Sequence, residues 1–312
     1  MALFPRPILT NGATHSAQQF RMLVRDLARG NEGVTEGDDL KVTQRSVPGG
    51  GVTVGDGSAV VQGRDDAFQG HYAACNVGSV DVDIAATGGT ARSDMVILRI
   101  EDPQYTGSLD PTVDQIAYFQ VISNVSSSAT TIPDGRTGIP LARIDIPAST
   151  GTITSSMITD LRKIANTRRD RNIYIQSPTS MSTQIGGSSN SYSYFSTAAG
   201  WNIPVPSWAS TVKIRFDIAG LRLTGGAIFG AVRALYGSAL AMQPVIIDDN
   251  QGTGTRRINA ICADTLTLSA SYRSTTQLLR IQFAGYVGNV GTVSVDSSST
   301  LIADVEFFEA PR

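Results

Sequence analysis

Apolar residues recur at helical spacing near the start of the chain and at strand spacing through most of the remainder. From Asn11 to Arg29, Phe20, Leu23, Val24, Leu27 and Ala28 fall at i, i+3, i+4, i+7 and i+8, with Arg21, Arg25 and Asp26 opposite them. That spacing predicts an amphipathic helix over 11–29. Thr10, Asn11 or Thr14 can cap its start, and Gly30 supplies a left-handed stop. The stripe must be covered by the chain's own domain or by a neighbouring subunit, which makes Phe20, Leu23, Val24 and Leu27 candidate oligomer-interface residues.

From Gly33 the period changes to two. Val52 and Val54, then Val80, Val82 and Ile84, alternate as in half-buried strands, and Gly55-Asp56-Gly57 reads as a hairpin turn. Met95–Ile100 and Ile116–Ile122 are nearly continuous apolar runs, which suits strands covered on both faces. Ile139–Ile146 adds another, and Ser155–Ile164 reads as a short helix or turn. Between Lys163 and Ser191 the period is lost among basic and Ser/Gly-rich residues. Beyond it Val212, Ile214, Phe216 and Ile218 alternate with Lys213, Arg215 and Asp217, as do Leu279, Ile281 and Phe283 with Arg280 and Gln282. The pattern predicts a mainly β chain. Residues 1–164 form a helix plus a β-rich domain, 165–190 a linker, and 191–312 an antiparallel β-sandwich or jelly roll.

Composition narrows the function classes. Charged residues make up 17% of the 312 positions and the net charge is −2, so there is no basic excess to neutralise phosphates or anionic lipid. Nucleic acid and membrane surface are poor partners on this ground. No apolar run approaches the roughly 20 residues that span a bilayer, and Pro5 and Pro7 interrupt the start where a signal peptide would need an apolar core. The expectation is a soluble product of a cytoplasm. Cys75 and Cys262 fall in different predicted domains and read as buried small residues, not as a disulfide.

Candidate chemistry is sparse. His15 and His71 sit in different elements, so a nucleophile–histidine pair has little to draw on, and no cofactor fingerprint or metal cluster is visible. Asp65-Asp66, Glu101-Asp102 and Asp248-Asp249 are adjacent pairs whose side chains in a strand point to opposite faces. In a loop, Asp248-Asp249-Asn250-Gln251-Gly252 is the best place for a calcium ion. Arg92/Asp94 and Asp160/Arg162 read as surface ion pairs. Tyr192, Tyr194, Phe195, Trp201 and Trp208 crowd one short stretch. Exposed rings there would serve as platforms for the apolar faces of sugars, and Tyr192, Tyr194 and Trp201 are the candidate glycan-binding residues. Against this, both tryptophans could fill the core of the sandwich. The expectation is a protein without catalysis.

The first half resembles the minor tail proteins of the tail tip or baseplate of long-tailed phages that infect Gram-positive and actinobacterial hosts. The residues that carry the resemblance are the helix Ser16–Arg29, Gly33–Gln44, the hairpin Val52–Gly63, Thr90–Tyr105, Ile139–Pro147 and Ile153–Arg162, in this order and spacing. The second half resembles the β-sandwich tips of such proteins more loosely. The resemblance implies a virion protein made in the bacterial cytoplasm, docking on other tail proteins by its first half. It further implies a second half facing the host, with host cell-wall glycan as its ligand, in a homo-oligomer that is commonly a trimer. The alternatives are an architectural subunit binding only phage proteins and a cell-wall polysaccharide hydrolase using a carboxylate pair.

Overall fold

The computed structural model describes residues 4, 7–195 and 199–312. It is mainly β, with one α-helix and several antiparallel sheets. The chain divides into two compact units, one of Met1–Thr167 with Ala310–Arg312 and the other of Arg168–Glu309.

In the first unit, α1 is shorter than its apolar spacing, Ala17–Leu27. Ser16, not an earlier residue, caps it: its hydroxyl accepts from the Gln19 N–H while the Gln19 side chain accepts from the Ser16 N–H. Arg29 and Gly30 are left-handed, and the Gly30 N–H reaches back to the Arg25 carbonyl to close the end. The helix docks by its polar side. Gln19 and Arg21 are buried, whereas Phe20 is 47% and Leu27 70% exposed, with Leu23 and Val24 half-buried. Arg21 decides this orientation. Its guanidinium donates to the Gln69 carbonyl at 2.7 Å, to Gln104 and to Tyr105, pairs with Asp102 at 3.3 Å, and lies over the rings of Tyr72 and Tyr105. Charge-assisted bonds of this number outweigh the partial burial of two apolar side chains.

The strands that follow are β1 Gly33–Val34, β2 Val42–Gln44, β3 Gly51–Val54, β4 Gly57–Gln62, β5 His71–Asn76, β6 Val80–Asp83, β7 Arg92–Ile100, β8 Ala117–Val125, β9 Gly138–Ile146 and β10 Ile158–Asp160. They form three sheets, ordered β1-β4-β5, β2-β3-β6 and β10-β9-β7-β8. The continuous apolar run of β7 is covered on both faces: Val96, Leu98 and Ile100 enter the main core, and Met95 and Ile97 a smaller one with Leu161. The similar run in β8 is not, because β8 is the sheet's edge and its residues stay half-buried. Residues 155–164 hold a single 3₁₀ turn and then β10.

Two ion pairs that read as surface features each have one fully buried partner. Asp94 is fully buried; it accepts two bonds from Arg92 at 2.8 Å and one from the Asn124 N–H at 2.9 Å. The Arg162 side chain is fully buried too, held by Asp160 and donating to the carbonyls of Gly37, Asp39 and Arg312. Residues two apart in a strand share a face, which is what lets each pair form within its own segment. Cys75 is exposed on β5, contrary to its expected burial, while Cys262 is buried and its thiol pushed up to about 11 by loss of solvent.

The second unit begins inside the expected linker. Arg169–Gln176 is a strand, β11, that pairs along its whole length with the last strand of the chain. On this edge strand Asp170 and Asn172 share the inner side with Tyr174, while Ile173 and Ile175 point outward, so its apolar residues show no inward period. The other strands are β12 Ser193–Tyr194, β13 Gly200–Pro204, β14 Thr211–Thr224, β15 Ile228–Tyr236, β16 Leu240–Ala241, β17 Val245–Asp249, β18 Arg256–Thr267, β19 Thr276–Gly285, β20 Thr292–Ser294 and β21 Thr300–Phe308.

One sheet runs β11-β21-β14-β18, with β20 continuing beside β14. The other has β19 and β15 at its centre, β12 and β13 along one side and β16 and β17 along the other. Setting aside the short β12, β16 and β20, the eight strands in chain order fall as 1-8-3-6 in one sheet and 2-7-4-5 in the other, the strand order of a jelly roll. The inner faces meet in one core. Val212, Ile214, Phe216 and Ile218 of β14 and Leu301, Ala303, Val305 and Phe307 of β21 lie in it with Val232, Ala234 and Tyr236 of β15 and Leu279, Ile281 and Phe283 of β19.

Candidate functional site

The outer face of the second sheet of the jelly roll brings two tyrosines and two arginines together. Register fixes who shares it. Arg233 of β15 stands opposite Gln282 of β19, and Gln282 opposite Tyr194 of β12. One step along, Arg280 of β19 stands opposite Leu235 of β15 and Gly200 of β13. Since Leu279, Ile281 and Phe283 point into the core, Arg280 and Gln282 point out.

Tyr192 and Tyr194, two apart, both belong to this outer face and each meets a guanidinium. Arg233 lies over the Tyr192 ring at 3.7 Å and Arg280 over the Tyr194 ring at 3.9 Å. Arg233 also donates its Nε–H to Gln282 Oε1 at 2.9 Å, while the Arg280 Nε is buried without a partner. Burial, then the nearby Tyr286 hydroxyl, pushes the Tyr192 phenol up to about 12. Tyr286 in turn meets Phe229 edge to face at 5.7 Å. Gly200 leaves room for the arrangement: a Cβ there would come within 2.9 Å of Arg280 Cγ.

Trp201 does not join the two tyrosines. It pairs with the inward Leu279, packs on the core and meets Phe216 edge to face at 5.9 Å. Trp201 lies an odd number of positions beyond Tyr194, and Tyr194 and Gly200 both stand opposite outward residues of β19, so alternation puts Trp201 on the inner face. Trp208 also packs on the core, with the Arg168 guanidinium over it. The arginines are the members that aromatic counting missed. Their only trace in the sequence is a basic residue at the outward position of two otherwise apolar strands.

The remaining candidates fall elsewhere. Asp249 pairs with Arg256 at 3.1 Å and Asp248 stands opposite Phe229 on the outer face, so the two carboxylates do not converge. Among the described residues no three His, Cys, Asp or Glu side chains gather as metal ligands. His71 is buried on β5, and neither of its ring nitrogens has a partner. The first unit also has a cavity of about 430 Å³ lined by the edge strands β5, β6 and β8, with Leu40, Leu98 and Phe119 in its wall. No helix among the described residues is long and apolar enough to cross a membrane.

No protein-family model matches the chain, and no curated protein matches it in sequence. Among solved structures, the VP2 subviral particle of infectious bursal disease virus is similar at 13% identity and a TM-score of 0.25, over 89% of this chain and 78% of that one. The T=1 particles derived from the same virus give 12% and 0.24, over 94% and 83%. A Cry1Da tryptic core variant of Bacillus thuringiensis gives 11% and 0.22, over 98% and 57%. Similarity at these TM-scores assigns this chain neither a family nor a function.

Proposed function

We propose that the protein is a structural, non-enzymatic component of a phage virion. In this reading it sits at the tail tip or baseplate, docks on other tail proteins by its first unit and attaches to host-surface glycan by its jelly roll. One observation carries the attachment: two tyrosines on the same outward sheet face, each held in place by a stacked arginine. Rings fixed in this way present apolar area and hydroxyls to a sugar without the entropy cost of ordering them on binding. The tail position is supported by the order and spacing of the first-half segments, and a jelly roll is an architecture that capsid and lectin domains share, an argument by analogy.

The competing architectural reading draws on a different observation, the exposed Phe20 and Leu27 of α1. The two are compatible if α1 contacts a second copy or a neighbour while the jelly roll faces outward. Retention of the purified full-length chain on purified bacterial cell walls tests the attachment. Tyr192→Ala and Tyr194→Ala together should lower retention at least about tenfold, since stacking on an aromatic ring contributes on the order of 1 kcal/mol or more. Retention unchanged by the double substitution, or absent from cell walls of every host type tried, leaves the architectural reading.

A further inference from the structure

The two arginines of the outer sheet face lack the carboxylate partner that most arginines of their unit have; among the described residues Arg169, over the Phe308 ring, and Arg273, donating to the Ala209 and Leu268 carbonyls, are the others without one. Arg171, Arg215, Arg222, Arg256 and Arg257 each pair with an aspartate. Arg233 and Arg280 meet no carboxylate among the described residues; they are held by tyrosine rings, with one Nε–H of Arg233 given to Gln282. On the strands of this face the one outward carboxylate is Asp248, opposite Phe229. Phe229 and Arg233 are four positions apart on β15, about 13 Å at strand rise, beyond a Debye length at physiological salt.

Stacking determines which part of each guanidinium is left to work. A ring engages the flat face of the group and leaves its N–H donors in the plane, where they can bind a carboxylate or phosphate by two parallel bonds. The register makes Arg233 and Arg280 diagonal neighbours on adjacent strands, with Cβ atoms about 7–8 Å apart. That spacing lets both forks reach one anionic group or two groups on consecutive sugars. The Arg280 Nε, buried and without a partner, is a donor whose desolvation nothing in the chain offsets. Tyr194, Phe229 and Leu278 on the same face, each more than a third exposed, give the apolar rim that a sugar ring needs.

We propose that this face is an acidic-saccharide site, in which Arg233 and Arg280 hold the carboxylate or phosphate of a charged glycan and Tyr194 contacts its ring. The inference rests on the glycan-attachment reading above and narrows its ligand class. The net charge of −2 does not oppose it, because the recognition is local.

The test measures binding of the full-length chain to two matched pairs of immobilised polysaccharides: polygalacturonate against its methyl ester, and a phosphomannan against the dephosphorylated mannan. Binding to at least one acidic member, at least about tenfold tighter than to its uncharged counterpart and weakened as salt rises from about 50 to about 300 mM, is the expected result. The pair that discriminates tells carboxylate from phosphate. Arg233→Gln and Arg280→Gln should each remove most of that difference. Arg233→Lys and Arg280→Lys, which keep the charge without the fork, should recover only part of it, and thermal melting checks that all four variants fold. The salt dependence of the unaltered protein needs no variant. Equal binding to charged and uncharged members, or binding to none of the four surfaces, overturns the acidic-saccharide site, while glycan attachment stands or falls by retention on bacterial cell walls.

Discussion

At the scale of single residues, the chain places its arginines according to what lies two positions away or across a strand. Asp94 accepts from Arg92 and from the left-handed Asn124 while fully buried. Asp94→Ala would leave the Arg92 guanidinium with the Ala85 carbonyl as its remaining acceptor and the Asn124 N–H without the carboxylate. It should lower stability by about 3 kcal/mol, read from denaturant midpoints at unchanged slope. Tyr192 gives a pH prediction. Its phenol is raised from an ordinary value near 10 to about 12, so the stability it contributes is fully present below pH 10 and lost as pH climbs through 12. Tyr192→Phe should therefore flatten part of the alkaline loss between these limits, in melts compared at about pH 9 and 11.5.

At the scale of elements, β11 is the strand the sequence hid. Arg169, Asp170, Arg171 and Asn172 open it, so it reads as a solvated charge run, yet it pairs residue for residue from Arg169↔Phe308 to Gln176↔Leu301. Tyr174 leans on the core from its inner side. A fragment of residues 168–309 should therefore fold cooperatively, and one of 175–312, which drops most of β11 and exposes the edge of β21, should melt well below it or not cooperatively, by circular dichroism. For the same reason limited trypsin treatment should spare β11 and leave cleavage to unpaired loops.

At the scale of the whole molecule, assembly turns on α1. The sequence assigned Phe20, Leu23, Val24 and Leu27 to a buried stripe; the helix instead buries Gln19 and Arg21 and turns Phe20 and Leu27 outward. On the proposal that a second copy covers them, in a homo-oligomer that the resemblance makes a trimer, Phe20→Glu with Leu27→Glu should shift the light-scattering mass to that of a monomer while the melting temperature of the isolated chain stays nearly constant. Side chains already half or more exposed carry little of the fold's own stability. A wild-type chain that is monomeric at millimolar concentration, with the same mass as the double variant, would leave the exposed stripe to another tail protein.

The alternation of Val212 to Ile218 and of Leu279 to Phe283 determined by itself that these segments are strands and which of their faces is apolar, because side chains in extended backbone can only alternate. The crowding of aromatics singled out Tyr192 and Tyr194, together with Trp201, as candidate rings. Tertiary structure alone decided the rest. Trp201 fills the core because β13 pairs with β19 and sets it opposite the inward Leu279, against Phe216 of the facing sheet. Arg233 and Arg280 reach the two tyrosines from β15 and β19 through register. And α1 docks by its polar side because Gln69, Asp102, Gln104 and Tyr105, distant in the chain, together offer Arg21 more than its apolar face could gain. Periodicity reports what a segment can bury, and only the partners brought to it in space fix which of its sides is taken.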